Sequence, residues 1–190
     1  MQAFLAAQGT TALRPDEILR AEWVARVAAL DLYIHELVAQ RMVAIFEGKL
    51  PLTPAYQVFR IPTETLDRIR RAISDAERTA AFDLEVRRQL GLQTFQEPDR
   101  VADALRLCST VELWNAIAVK QGATEQNKVQ AAKALKMQLA IIVGRRNKIA
   151  HEADLQPTVP KVPWPISQSD LASVAAFIRS VVHAIDSCIT

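Results

Sequence analysis

PDEILRAEWVARVAALDLYIHELVAQRMVAIFEG, residues 15–48, decides the fold. Trp23, Val27, Leu30, Ile34, Leu37 and Val38 recur there at three- and four-residue spacing, the apolar stripe of a long amphipathic helix. Pro15 suits the first helical turn, where its missing N–H costs nothing, and Gly48 suits the stop. No strand-like alternation competes with this pattern.

Outward from that helix, the punctuation repeats. Prolines at 51, 54 and 62 mark a turn-rich joint, followed by predicted helices near Thr63–Asp75 (Leu66, Ile69, Ile73) and Glu77–Leu90, the second stopped by Gly91. Glu97-Pro98-Asp99 opens a further helix through Leu107. Ser109 or Thr110 is placed to cap the next one, which runs through Lys120 to a stop at Gly122. A second long helix spans Thr124 to about Ala153, and a last one starts at Ser167 or Ser169 and ends near Ile189. Between these two lies LQPTVPKVPWPI, residues 155–166, whose four prolines predict a stiff, extended connector with Trp164 pinned onto the bundle.

Composition agrees with an all-α reading. Ala occurs 30 times against 5 Gly and 9 Pro, and Ala loses least entropy in a helix. The 190 residues, half of them hydrophobic, suit a single domain: one up-and-down bundle of about five to six main helices, with residues 1–14 expected to be flexible. A charged fraction of 23% argues against intrinsic disorder. Cys108 and Cys188 are too few for a disulfide framework, and three scattered histidines offer no paired metal-ligand spacing. Neither a metal nor a cofactor is therefore expected, and there is no glycine loop of nucleotide-binding type. The N-terminus lacks the pattern of a secretory signal and no apolar run approaches about 18 residues, so a cytoplasmic protein without membrane contact is expected.

The formal net charge of +2 conceals a polarity. Between Lys120 and Lys148 seven basic residues stand against the single acid Glu125, so that window carries +6 and the rest of the chain −4. A polyanion would be steered to the second long helix.

Near the end of that helix lies GRRNKIAHEAD, residues 144–154. Leu135, Leu139, Ile142, Arg146 and Ile149 share one stripe, so Arg146 takes a position that periodicity assigns to a hydrophobe. A guanidinium there must meet a carboxylate of another helix or open onto a groove that receives an anion, because an unpaired buried charge costs several kcal/mol. Asn147 and His151 stand at i and i+4, where the amide can orient the imidazole. These residue types suit phosphodiester chemistry: histidine exchanges protons near neutrality and arginine holds phosphate oxygens with a planar fork. Arg146 and His151 diverge by about 140° on a straight helix, so either the helix distorts at Gly144 and toward Asp154, or two copies combine their groups across a dimer. The dimer is the favoured solution.

The run Arg146-Asn147-Lys148-Ile149-Ala150-His151 resembles the Arg-x(4–6)-His motif of the HEPN superfamily. RRNKIAHEAD, together with LWNAIA at 113–118 and ALDLYIHEL at 29–37, is similar to the RiboL-PSP-type HEPN branch, in the expected order over most of the chain. The resemblance implies a helical bundle that dimerises so that two motifs share a cleft. It also implies a metal-independent endoribonuclease in which the RNA 2′-OH attacks its own phosphate. His151 would be the acid or base, Arg146 the phosphate ligand and transition-state stabiliser, and Asn147 an orienting group, with Arg145 and Lys148 as auxiliary phosphate contacts. Many such proteins resemble toxins or phage-defence effectors, some paired with an antitoxin. A non-catalytic HEPN bundle that binds RNA, a nucleotide or a partner protein is the alternative.

Asp31 and His35, spaced for a hydrogen-bonded pair, are candidates for a supporting role behind the motif. His183 falls in the apolar last helix and is expected to be structural. Trp23, Trp114 and Trp164 do not alternate with basic residues and are expected as core or joint anchors.

Overall fold

The computed structural model describes residues 14–189, so the expectation for the first fourteen residues lies, apart from Arg14, outside the described part. Among the described residues eight helices follow one another: α1 Pro15–Phe46, α2 Pro54–Gln57, α3 Thr63–Arg71, α4 Asp75–Leu90, α5 Pro98–Arg106, α6 Leu113–Lys120, α7 Lys128–Glu152 and α8 Gln168–Ile189. Among the described residues the only β-type pairing is an isolated bridge between Leu155 and Pro163. The chain is an all-α helical bundle.

Helix α1 runs through the middle, packing on α4, α5, α7 and α8. The stripe read from the sequence is its buried face: Trp23, Val27, Leu30, Ile34 and Val38 are buried, joined by Ala39, Met42 and Ile45. Each large side chain removed from water in this way contributes about 1.5–3 kcal/mol. Truncating Ile34, which is fully enclosed, to Ala would cost about 2–5 kcal/mol. Across from α1, α7 contributes Leu139, Ile142 and Val143, and α6 contributes Leu113, Trp114, Ile117 and Ala118.

Local boundaries follow sequence chemistry, with four departures. Helix α3 stops at Arg71 rather than near Asp75, because Ser74 Oγ accepts from Glu77 N–H and caps α4, and Ile73, expected on the apolar face of α3, lies in the turn between the two helices at 91% exposure. The short α2 starts at the Thr53-Pro54 pair, where Thr53 Oγ1 accepts from Tyr56 N–H at 3.0 Å. Four residues are too few to carry periodicity, so this element is not read from the pattern. The cap expected from Ser109 or Thr110 does not form: the residue before α6 is Glu112, without a side-chain cap, and Ser109 Oγ accepts from Val111 N–H. Helix α7 begins at Lys128 rather than Thr124, because Asn127 Oδ1 accepts from Thr124 N–H at 2.8 Å and folds that stretch into a turn. At the start of α8 Ser167 N–H donates to Asp170 Oδ2 and Asp170 N–H donates to Ser167 Oγ, a reciprocal capping box.

No membrane span is read from the sequence, yet α8 is long and apolar enough to cross a membrane by length and composition. In the bundle it packs on α1 and α6, burying Leu171, Val174, Phe177, Val181 and Ile185.

Candidate functional site at the C-terminal end of helix α7

Helix α7 continues without interruption from Lys128 to Glu152, so the distortion expected as one option at Gly144 is not present. The helix ends abruptly at Glu152, one residue after His151. Ala153 and Asp154 both adopt left-handed conformations, with φ of 53° and 54°, and Asp154 N–H bonds back to Lys148 O at 3.1 Å. Two successive non-glycine residues in this region are strained, and such strain persists only where surrounding contacts over-determine it.

Those contacts converge on Asp154, only 1% exposed. Its Oδ2 accepts from Arg20 Nε at 3.1 Å and from Arg145 Nη2 at 3.0 Å, while Oδ1 accepts no hydrogen bond. Arg20 is itself buried and spreads its remaining donors to Glu17 Oε1 and, at 2.7 Å, to Trp164 O. Arg145 also donates to Pro165 O at 2.7 Å, and its guanidinium lies 5.1 Å from the centre of the Trp23 ring. Trp23 in turn donates its indole N–H to Ile142 O at 3.0 Å. One carboxylate thus fastens α1, the end of α7 and the proline-rich segment together.

Of the two options open to Arg146, a carboxylate partner or a groove for an anion, the first does not form among the described residues; the buried salt bridge belongs to Arg20 and Arg145. Arg146 is partly buried and makes no ion pair among the described residues; its Nη1 donates to Asn147 Oδ1 at 3.0 Å and its enclosed Nε donates to nothing. Asn147 therefore orients the arginine, not His151 as expected. Arg145, expected as an auxiliary phosphate contact, has its Nη2 committed within the protein. Lys148 and His151 are exposed, and no hydrogen bond or ion pair among the described residues engages either side chain. On this regular helix Arg146 and His151 point about 140° apart. One chain does not bring them to one atom.

The positive charge of the Lys120–Lys148 window is partly spent. Lys128 pairs with Glu125 and Lys136 with Asp99, each at 2.6 Å, and Arg145 pairs with Asp154. Lys120, Lys133, Arg146 and Lys148 keep no ion-pair partner among the described residues, so the charge available to a polyanion is sparser than the sequence count and concentrates, in part, at the motif.

Asp31 and His35 do form a pair, 3.6 Å apart, but far from the motif. Asp31 lies eleven residues beyond Arg20, a rise of about 16 Å along α1. Its carboxylate accepts from Phe95 N–H at 2.5 Å and Gln96 Nε2 at 3.0 Å, and the His35 ring packs on Phe95 at 4.5 Å. The expected support for the motif is replaced by a fastening of the loop between α4 and α5. A cavity of about 690 Å³ between α5, α6 and α7, bordered by Arg106, Lys133 and Lys136, likewise opens on an earlier stretch of α7.

Arg20 and Asp154 are the residues to which the sequence reading assigns no role. Arg20 precedes Trp23 by three on the apolar stripe, a spacing that signals burial of its side chain. Asp154 gives no such signal, since its burial follows from the left-handed reversal. Trp23 and Trp114 are core anchors as expected, whereas Trp164 is 40% exposed. Among the described residues, no three His, Cys, Asp or Glu side chains are grouped to hold a metal ion.

Comparison with protein-family models, with curated proteins and with solved structures finds no match to this chain.

Proposed function

We propose that the protein is a HEPN-type, metal-independent endoribonuclease whose active form is a homodimer, with the reactive groups supplied by Arg146, Asn147 and His151. One observation carries the reading: Arg146 is partly enclosed and oriented by Asn147 at 3.0 Å, yet no carboxylate pairs with it among the described residues, whereas Arg145 beside it and Arg20 both pair with Asp154. A fork held in place and left charged suits a phosphodiester oxygen.

In this reading the RNA 2′-oxygen attacks the adjacent phosphorus. The new 2′-O–P bond forms as the P–O5′ bond breaks, leaving a 2′,3′-cyclic phosphate and a 5′-hydroxyl. The His151 imidazole accepts the 2′-OH proton and, as the imidazolium so formed, donates it to the departing 5′-oxygen. Arg146 stabilises the charge that accumulates on the non-bridging oxygens. Because Arg146 and His151 diverge on one helix, the arginine of one copy works with the histidine of the other. The solvent face of α7 supports such pairing: Met137 and Ile141, 59% and 68% exposed, lead along one stripe through Gly144 to Lys148. A cytoplasmic toxin or defence effector held in check by a protein antitoxin is the biological setting this reading fits.

The test is incubation of the protein with RNA in EDTA, with product ends identified by mass. Wild type leaves 2′,3′-cyclic ends, and Arg146→Ala and His151→Ala each lower cleavage by at least about 100-fold, the scale expected for loss of a general acid–base or charge-stabilising group. Equal cleavage by the variants defeats the assignment. That no partner among the described residues fixes the His151 ring favours one second reading, a non-catalytic bundle that binds RNA through the same surface. Arg146-dependent RNA binding without cyclic products would establish it.

A further inference from the structure

We infer that Trp164 is a stacking platform for an unpaired base of single-stranded RNA, held beside the motif; the inference rests on the RNA-directed reading of Arg146 to His151. Three tryptophans are used in two ways. Trp23 and Trp114, 6% and 7% exposed, donate their indole N–H groups to Ile142 O and Pro98 O, the satisfied arrangement of core anchors. Trp164 is 40% exposed and its indole N–H has no partner among the described residues.

The exposure is not looseness of the backbone. Trp164 N–H donates to Asp154 O at 2.7 Å and Trp164 O accepts from Arg20 Nη2 at 2.7 Å, so both sides of the residue are held by the buried cluster around Asp154. The next residue is held by Arg145 through Pro165 O. The same Asp154 stands three residues after His151, at most about 11 Å away between Cα atoms. A base on the indole and a phosphate at the motif therefore fit the reach of one continuous strand.

Charge selects the occupant. Lys161 on the same proline-rich segment and Lys148 and Arg146 at the end of α7 carry no ion pair among the described residues, whereas Arg20 and Arg145 are balanced by Asp154 and Glu17. An aromatic face set among unneutralised cations suits a nucleobase joined to a phosphate backbone, and single strands present such faces whereas duplexes bury them.

The test measures binding of a 2′-O-methyl RNA octamer, which lacks the attacking hydroxyl, as a single strand and as a duplex. Trp164→Ala weakens single-strand binding by about 5- to 150-fold, Trp164→Phe recovers most of it, and duplex binding is unchanged in both. Quenching of tryptophan emission by the single strand is smaller in Trp164→Phe than in wild type. Unchanged single-strand affinity in Trp164→Ala, with helical circular dichroism intact, overturns the platform. So does loss of the dimer in that variant with affinity retained, which would show that a second copy covers the ring. If wild type cleaves RNA and Trp164→Ala leaves KM unaltered, the platform fails while the nuclease reading stands. If wild type binds in a Trp164-dependent manner but does not cleave, the catalytic reading fails and the platform stands. A wild type that neither binds nor cleaves RNA overturns both.

Discussion

Arg20 Nε lies 3.1 Å from Asp154 Oδ2, joining the second turn of α1 to the residue that reverses the chain after α7. The two are separated by 134 residues and both are buried, at 5% and 1% exposure, so the bond closes most of the chain into one unit. Removing the carboxylate strands a buried guanidinium. Asp154→Ala should therefore lower the unfolding free energy by about 3–5 kcal/mol, read from urea denaturation. A loss below about 1 kcal/mol would mean that the cluster is not a structural staple.

A shared cleft makes a prediction about mixtures. Arg146→Ala and His151→Ala homodimers are each inactive, but a heterodimer of the two has one site with both groups intact. Equal mixing with free subunit exchange gives half heterodimers, each with one working site of two, so cleavage should return to about a quarter of the wild-type rate. A mixture as inactive as its components would place both groups in separate, single-chain roles.

Gly144 sits inside α7, and a Cβ built there meets nothing within 4 Å. In the helix interior glycine costs about 0.5–1 kcal/mol relative to alanine, so Gly144→Ala should stabilise the protein by that amount in thermal or urea unfolding. Gly144→Trp should leave the helical spectrum intact and, by obstructing the stripe shared with Met137 and Ile141, shift the dimer to monomer in sedimentation. An unchanged dimer would locate the second copy elsewhere.

Acid stability should depend on Glu85, which is 5% exposed on α4. Hydrogen bonds from Arg88, at 2.9 and 2.7 Å, hold its carboxyl down at about 2 against the opposing effect of burial, aided by Gln89 at 2.7 Å. The folded state thus binds this proton more weakly than the unfolded chain, whose value is near 4.5. Its contribution is complete above about pH 4.5 and is lost as pH falls toward 2. The unfolding free energy of Glu85→Gln should fall less steeply than that of wild type across this window. Parallel curves would contradict it.

The helices were legible where punctuation and periodicity coincided. Pro15 and Gly48 bracket α1 to within two residues, and the stripe through Trp23 and Ile34 names its buried face. Reading failed where a side chain competes with the backbone, as at Asn127, which turns the chain before α7 can start. At the candidate site the motif was legible and the ionic partners were not. A helical wheel places Arg146 inward, but it contains no information about a carboxylate that arrives through two left-handed residues, and that carboxylate takes Arg145 and Arg20. The same wheel cannot show that Asp31, eleven residues along α1 from Arg20, is occupied with Phe95 and Gln96.

The hairpin beyond Asp154 is tied at its base by Arg20, Arg145 and the Leu155–Pro163 bridge, while Val159 at its tip is fully exposed. Whatever happens at the tip is therefore insulated from the bundle. Inserting a short epitope or a fluorophore-acceptor peptide between Thr158 and Val159 would lengthen the tip outward without straining any core contact, providing a handle for single-molecule work on the assembled protein.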